Sequence, residues 1–143
     1  MLGAALVVNS TLQRLDLLNN GITSAGVASL SRGLRVNRGL TQLDLVRCKL
    51  GAGGASSLSS ALRENATLTR LNLRGSDCSA ADVLALAGAV RVHHMVRALD
   101  IDRREELDEA APALRTVLEQ SQLLADAWWR RRGLVCWCNT LNV

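Results

Sequence analysis

One spacing governs what this chain can fold into: its apolar residues return every 28 positions. Leu12, Leu15, Leu17 and Asn20 are followed by Leu40, Leu43, Leu45 and Cys48, then by Leu68, Leu71, Leu73 and Ser76, then by Val96, Leu99, Ile101 and Arg104. The second half of each unit keeps step. Gly26, Gly54, Asp82 and Ala110 share one column, and Val27, Ala55, Val83 and Ala111 the next. Leu30, Leu58, Leu86 and Leu114 follow, then Leu34, Leu62, Val90 and Leu118. A unit this short cannot bury its apolar face alone, so it must lean on the next copy. That predicts a stack of coils rather than a core with one centre.

Each column has a physical reason. The last two leucines of the LxxLxL stretch are two apart, so they share one face of a short strand while the residues between them face solvent. Ile22, Leu50 and Cys78 lead into a turn. From there the apolar spacing changes to three and four (27, 30, 34), which is the face of a helix. Asn9, Asn37 and Asn65 are expected to end the helices, since Asn tolerates a left-handed closing residue. Asn20, Cys48 and Ser76 stand at the sharp turn after the strand, where a buried polar side chain satisfies unpaired backbone groups. Cys48 therefore reads as a rung of the stack and not a reactive thiol. Cys78 reads as core filling.

Composition agrees. Hydrophobic residues make up 48% of the 143 and charged residues 21%, a globular balance. There is no Phe or Tyr, and the three Trp all lie beyond residue 127, so the repeats must be packed with Leu, Val, Ala and Ile. A net charge of +4, with Arg130–Arg132 as the only basic run, argues against a nucleic-acid binder. The cysteines at 48, 78, 136 and 138 form no CxxC and no zinc spacing. The chain is read as cytoplasmic with reduced thiols, the nucleus being the alternative. The apolar run after Met1 lacks a basic leader and falls short of the roughly 20 residues that span a bilayer. No membrane partner is expected, and the sequons at Asn9 and Asn65 fall in the repeat frame.

The pattern LxxLxLxx[N/C]x[L/I]xxxGxxxLxxxLxxN, clearest in LRVNRGLTQLDL and LRENATLTRLNL, resembles the ribonuclease-inhibitor class of leucine-rich repeat. That class includes the ribonuclease inhibitor, the Ran GTPase-activating protein and the repeat regions of NOD-like receptors. The resemblance covers residues 1–121 and implies an α/β solenoid, a curved horseshoe segment with parallel strands on the concave side and helices on the convex side. It is specific for the fold and uninformative about function, because unrelated activities share it.

The frame makes the first repeat partial and the fourth degenerate, with Arg104 in the ladder column and Glu106 in place of the expected leucine. Residues 122–143 are read as the end of a C-terminal capping helix, started by Asp108 and stopped by Gly133, and a non-repeat tail. Trp128, Trp129 and Trp137 cover the last repeat or form a patch. Leu2 and Leu6 fall in the helix columns of Leu30 and Leu34, so the chain is expected to be a piece or short isoform of a longer array. The uncapped N-terminal end also offers a route to self-association.

Binding is expected on the concave strand positions. The candidate residues are Arg14, Asp16 and Leu18; Gln42, Asp44, Val46 and Arg47; Arg70, Asn72 and Arg74; and Asp100 and Arg103. Strands stacked about 4.8 Å apart make a column of aspartates, whose repulsion in water is only about 1 kcal/mol and is offset by the neighbouring Arg14 and Arg70. No metal, cofactor or catalytic role is assigned. His93 and His94 substitute at the Asn column, and Gly51-Ala-Gly-Gly54 is a strand-to-helix turn, not a phosphate loop. The expected function is a non-enzymatic scaffold for a protein with an acidic surface. The alternative is a regulator resembling the Ran GTPase activator. Ribonuclease inhibition is disfavoured by the few cysteines and the uniform period.

Overall fold

A computed structural model describes residues 2–92 and 95–101. The elements alternate: α1 (Leu2–Val8), β1 (Arg14–Asp16), α2 (Ser24–Val36), β2 (Gln42–Asp44), α3 (Gly51–Glu64), β3 (Arg70–Asn72), α4 (Ala80–Val92) and β4 (Ala98–Asp100). The four strands form one parallel sheet in the order β1-β2-β3-β4. Its register is the sequence period itself: Leu15 lies beside Leu43, Leu43 beside Leu71 and Leu71 beside Leu99. The fold is an α/β repeat solenoid.

The helix spacing does what the sequence requires of it. Val27, Leu30 and Leu34 of α2 and Ala55, Leu58 and Leu62 of α3 are all buried, as are Val83 and Leu86 of α4. They close onto the strand leucines in one continuous apolar cluster. Burying each leucine contributes roughly 2 kcal/mol, and the cluster grows by one layer per repeat.

A second set of columns makes the helices lie close. Gly33, Ala61 and Ala89 are buried at one position of successive repeats. At Gly33 a β-carbon would fall 2.1 Å from the Gly3 carbonyl oxygen, so α1 and α2 approach through bare backbone. Among the described residues, only α4 has a side-chain box at its start. The Asp82 carboxylate accepts from the Ser79 amide (3.0 Å) and hydroxyl (2.8 Å), and the Asp82 amide donates to Ser79 Oγ (3.2 Å). Asp82 therefore stands in the Gly26/Gly54 column for a local reason.

Two expectations are corrected. Asn37 and Asn65 end their helices with φ of −64° and −77°, extended and not left-handed. Their value lies in the side chain, described below. Left-handed residues stand instead just after the strands, in the column Asn19, Arg47 and Gly75 (φ 56°, 56° and 67°), and again at Gly21 and Asp77 (φ 62° and 49°). Gly51–Gly54 belongs to the first turn of α3 and not to the loop before it, with Gly51 at φ +53°. The expected readings of His93, His94, Arg103, Arg104, Glu106, the capping helix, the tryptophans, Cys136 and Cys138 lie outside the described residues.

Candidate functional site

The candidate site is the solvent side of the sheet, so its character depends on which side chains the scaffold has already committed. Three columns are committed. In the first, Asn37 donates its amide to the Leu6 and Asn9 carbonyls (2.7 Å each). Its oxygen accepts from the amides of Gly39 (3.0 Å) and Leu40 (2.7 Å). Asn65 repeats the arrangement one coil on, donating to Leu34 (2.7 Å) and Asn37 (3.0 Å) and accepting from Thr67 (3.0 Å) and Leu68 (2.7 Å). Each buried Asn ties the end of its own helix to the end of the one before. Only an uncharged amide offers two donors and an acceptor in that geometry.

The second column closes the turn after each strand. Ser76 Oγ donates to the Leu45 carbonyl at 2.7 Å, and Cys48 Sγ reaches the Leu17 carbonyl at 3.6 Å. Cys48 is the rung the sequence implied. Burial pushes its thiol pKa up, the Ile22 backbone bond opposes this, and the nearby Asp44 charge adds to it. Cys48 is accordingly expected to resist alkylation at neutral pH until the repeats unfold, as read by peptide mapping. Rapid labelling of the folded chain at Cys48 would contradict this.

The third column consists of the aspartates. Asp16 accepts from the Leu18 amide (2.9 Å), Asp44 from Val46 (3.1 Å) and Asn72 from Arg74 (3.3 Å), each closing the strand's end two residues on. Asn72 also donates to the second oxygen of Asp44 at 3.1 Å. Among the described residues, neither Arg14 nor Arg70, the arginines expected to offset these charges, lies within ion-pair distance of an aspartate. Local side-chain caps hold the carboxylates, because a backbone amide two residues away is always within reach. Threonines act similarly at the strand's start, Thr41 Oγ1 donating to Gln13 O (2.9 Å) and Thr69 Oγ1 to Thr41 O (3.0 Å).

The predicted site residues can now be placed. Register sets Arg14, Gln42, Arg70 and Ala98 in one row across the sheet, and Asp16, Asp44, Asn72 and Asp100 in the next. Arg14, Asp16, Leu18, Arg47, Arg70 and Arg74 are exposed, whereas Gln42, Asp44, Val46, Asn72 and Asp100 are half-buried. Arg47 sits in the left-handed turn with its side chain against Gly75. Exposed on this face are Arg14 and Arg70 on the strands and Arg47 and Arg74 at the rim, with Asp16 and Leu18 beside them. Among the described residues no three His, Cys, Asp or Glu side chains converge as metal ligands, and no helix is long and apolar enough to cross a membrane.

Sequence reasoning takes Asp16, Asp44 and Asn72 as contact residues and does not contain their capping role. The signal was present, since an Asp or Asn two residues before a turn is the ordinary donor trap. It had also missed the bridge between Arg35 and Glu64 (2.8 Å) on the helix side. That pair is about half exposed and contributes little.

A family model of the leucine-rich repeat matches residues 8–31 and 36–59. These two segments are leucine-rich repeats. Among solved structures these repeats are similar to a chain described as leiomodin-1 actin-binding site 2. The identity is 19% and the TM-score 0.70, and the match covers 92% of this chain and 78% of that one. At that identity the likeness speaks for the fold. No curated protein matches the chain in sequence.

Proposed function

We propose that this chain is a protein-binding scaffold rather than an enzyme, and that it docks a partner with an acidic surface on the strand side of the solenoid. One observation supports the reading above others. The aspartates of that face are turned into backbone caps, while Arg14, Arg70 and Arg74 are exposed and Arg14 and Arg70 are without ion pairs among the described residues. Four arginines, Arg14, Arg47, Arg70 and Arg74, stand on that face and its rim against the carboxylates of Asp16, Asp44 and Asp100, a small excess of positive charge that steers an acidic partner and fixes its register. Leucine-rich repeats generally mediate protein–protein contacts, in keeping with this. We place the repeats in the ribonuclease-inhibitor class, because each coil after the first returns through a helix of 13 or 14 residues.

Because the leiomodin-1 segment is named for binding actin, actin is the first candidate to put in the assay. The double variant Arg70→Ala/Arg74→Ala is expected to weaken partner binding while moving unfolding by no more than about 0.5 kcal/mol, since both side chains are exposed. Titration calorimetry of the unmodified chain and the double variant against actin tests it. Undiminished affinity in the double variant sinks the strand-face reading.

A further inference from the structure

Two arginines of neighbouring coils stand side by side where the strands end. The Arg47 amide donates to the Arg74 carbonyl at 2.8 Å, which makes the two residues direct neighbours. The Arg47 stem lies against Gly75, where a β-carbon would fall 3.0 Å from its Cγ. Both residues follow inner strands of the sheet, β2 and β3, so each has a coil on either side. Both are exposed, and among the described residues neither guanidinium makes an ion pair or a hydrogen bond. The nearest carboxylates in the sequence do not answer them. Asp44 is engaged by the Val46 amide and the Asn72 side chain, and Asp77, exposed on the same rim, pairs with neither arginine.

The backbone sharpens the case for Arg47. Its φ of +56° lies in the left-handed region, where a side chain costs conformational energy. The same column holds Asn19 and Gly75, the residue types that tolerate this conformation best. Arginine is the least suited of the three, and its guanidinium bonds to nothing in the scaffold. Strain kept without a structural return points to a group held for another molecule.

Charge narrows what that molecule presents. A carboxylate would neutralise one of the two adjacent guanidinium groups and leave the other uncompensated. A phosphorylated serine or threonine carries about −1.5 to −2 at neutral pH and three acceptor oxygens. It can satisfy two guanidinium forks at once, the means by which arginine clusters read phosphorylated segments. We propose that Arg47 and Arg74 hold a phosphorylated serine or threonine of the protein partner. The proposal rests on the strand side as the face that meets a partner, and it names the group that the rim of that face takes.

Fluorescence anisotropy on the full chain tests this with three labelled peptides of glycine and glutamate, differing only in a central phosphoserine, serine or glutamate. The phosphoserine peptide is expected to bind at least about tenfold more tightly than the other two. Arg47→Asn and Arg74→Ala should each weaken it by about tenfold, the loss of one charge-assisted contact. Arg63→Ala removes the same charge from an exposed site on α3 and should change the affinity by less than about twofold. Because Asn19 fills the same column, Arg47→Asn is expected to have a urea midpoint no lower than the unmodified chain. A glutamate peptide that binds as well as the phosphoserine one overturns the proposal. So does an equal loss in Arg63→Ala, a lowered urea midpoint in Arg47→Asn, or inorganic phosphate that competes as strongly as the peptide. Actin separates the two readings: lost actin affinity in Arg70→Ala/Arg74→Ala, beside phosphopeptide binding indifferent to Arg47→Asn, overturns only the phosphate site.

Discussion

Asn65→Ala is expected to cost about 3–5 kcal/mol of unfolding free energy, because it strands four backbone groups at once, at roughly 1–3 kcal/mol for each that stays buried and unsatisfied. Those groups are the carbonyls of Leu34 and Asn37 and the amides of Thr67 and Leu68, and the Asn65 side chain that holds them is 1% exposed. The matched control is Asn9→Ala. Asn9 sits in the same column, yet it is exposed, and its oxygen holds only the Thr11 and Leu12 amides. Its loss should cost no more than about 1 kcal/mol, since water can replace those bonds. Urea unfolding of the two variants with a shared slope measures the difference. Equal costs would mean the ladder between coils contributes nothing beyond its local turn. A small repeat array has only about 5–15 kcal/mol of stability in hand, so Asn65→Ala should also broaden or split the transition.

Leu71→Ala is expected to cost about 2–5 kcal/mol through lost transfer energy and the cavity left behind. Leu71 is fully buried and stacked between Leu43 and Leu99. In a one-dimensional stack the damage passes to both neighbours. Hydrogen exchange should therefore speed at the Leu45 and Leu73 amides, which donate to the Asn72 and Asp100 carbonyls. Leu15→Ala, at the half-buried end of the same row, should cost clearly less. If the two substitutions cost the same, the layered core is the wrong description of what holds the chain together.

The strand register was legible in the sequence because it is the repeat period: Leu15, Leu43, Leu71 and Leu99 are 28 apart and lie side by side. The buried helix face from 27 to 34 was equally legible, since apolar spacing is geometry written in one dimension. Cys48 as a rung followed from its column, with Ser76 making the same bond one coil later.

The role of Asn37 and Asn65 was only half legible. Their position at the helix end was clear, but the bonds that matter run to residues 28 and 31 places earlier. No local rule about Asn conformation contains that partner, and the left-handed closing residue it suggested is absent there. The aspartates mark the opposite failure. Their caps are local and could have been read, but the column pattern drew attention to cross-strand repulsion instead.

By itself the sequence determined the coil: one strand, one helix, the face each buries, and the order in which they stack. Periodicity carries that information because every coil meets a near-copy of itself, so the environment of one layer is given by the next. Only the tertiary structure decided which polar groups are already spent on the scaffold and which stay free. That depends on the distances between atoms of neighbouring coils, and it leaves Arg14 and Arg70 open while the carboxylates beside them close their own turns.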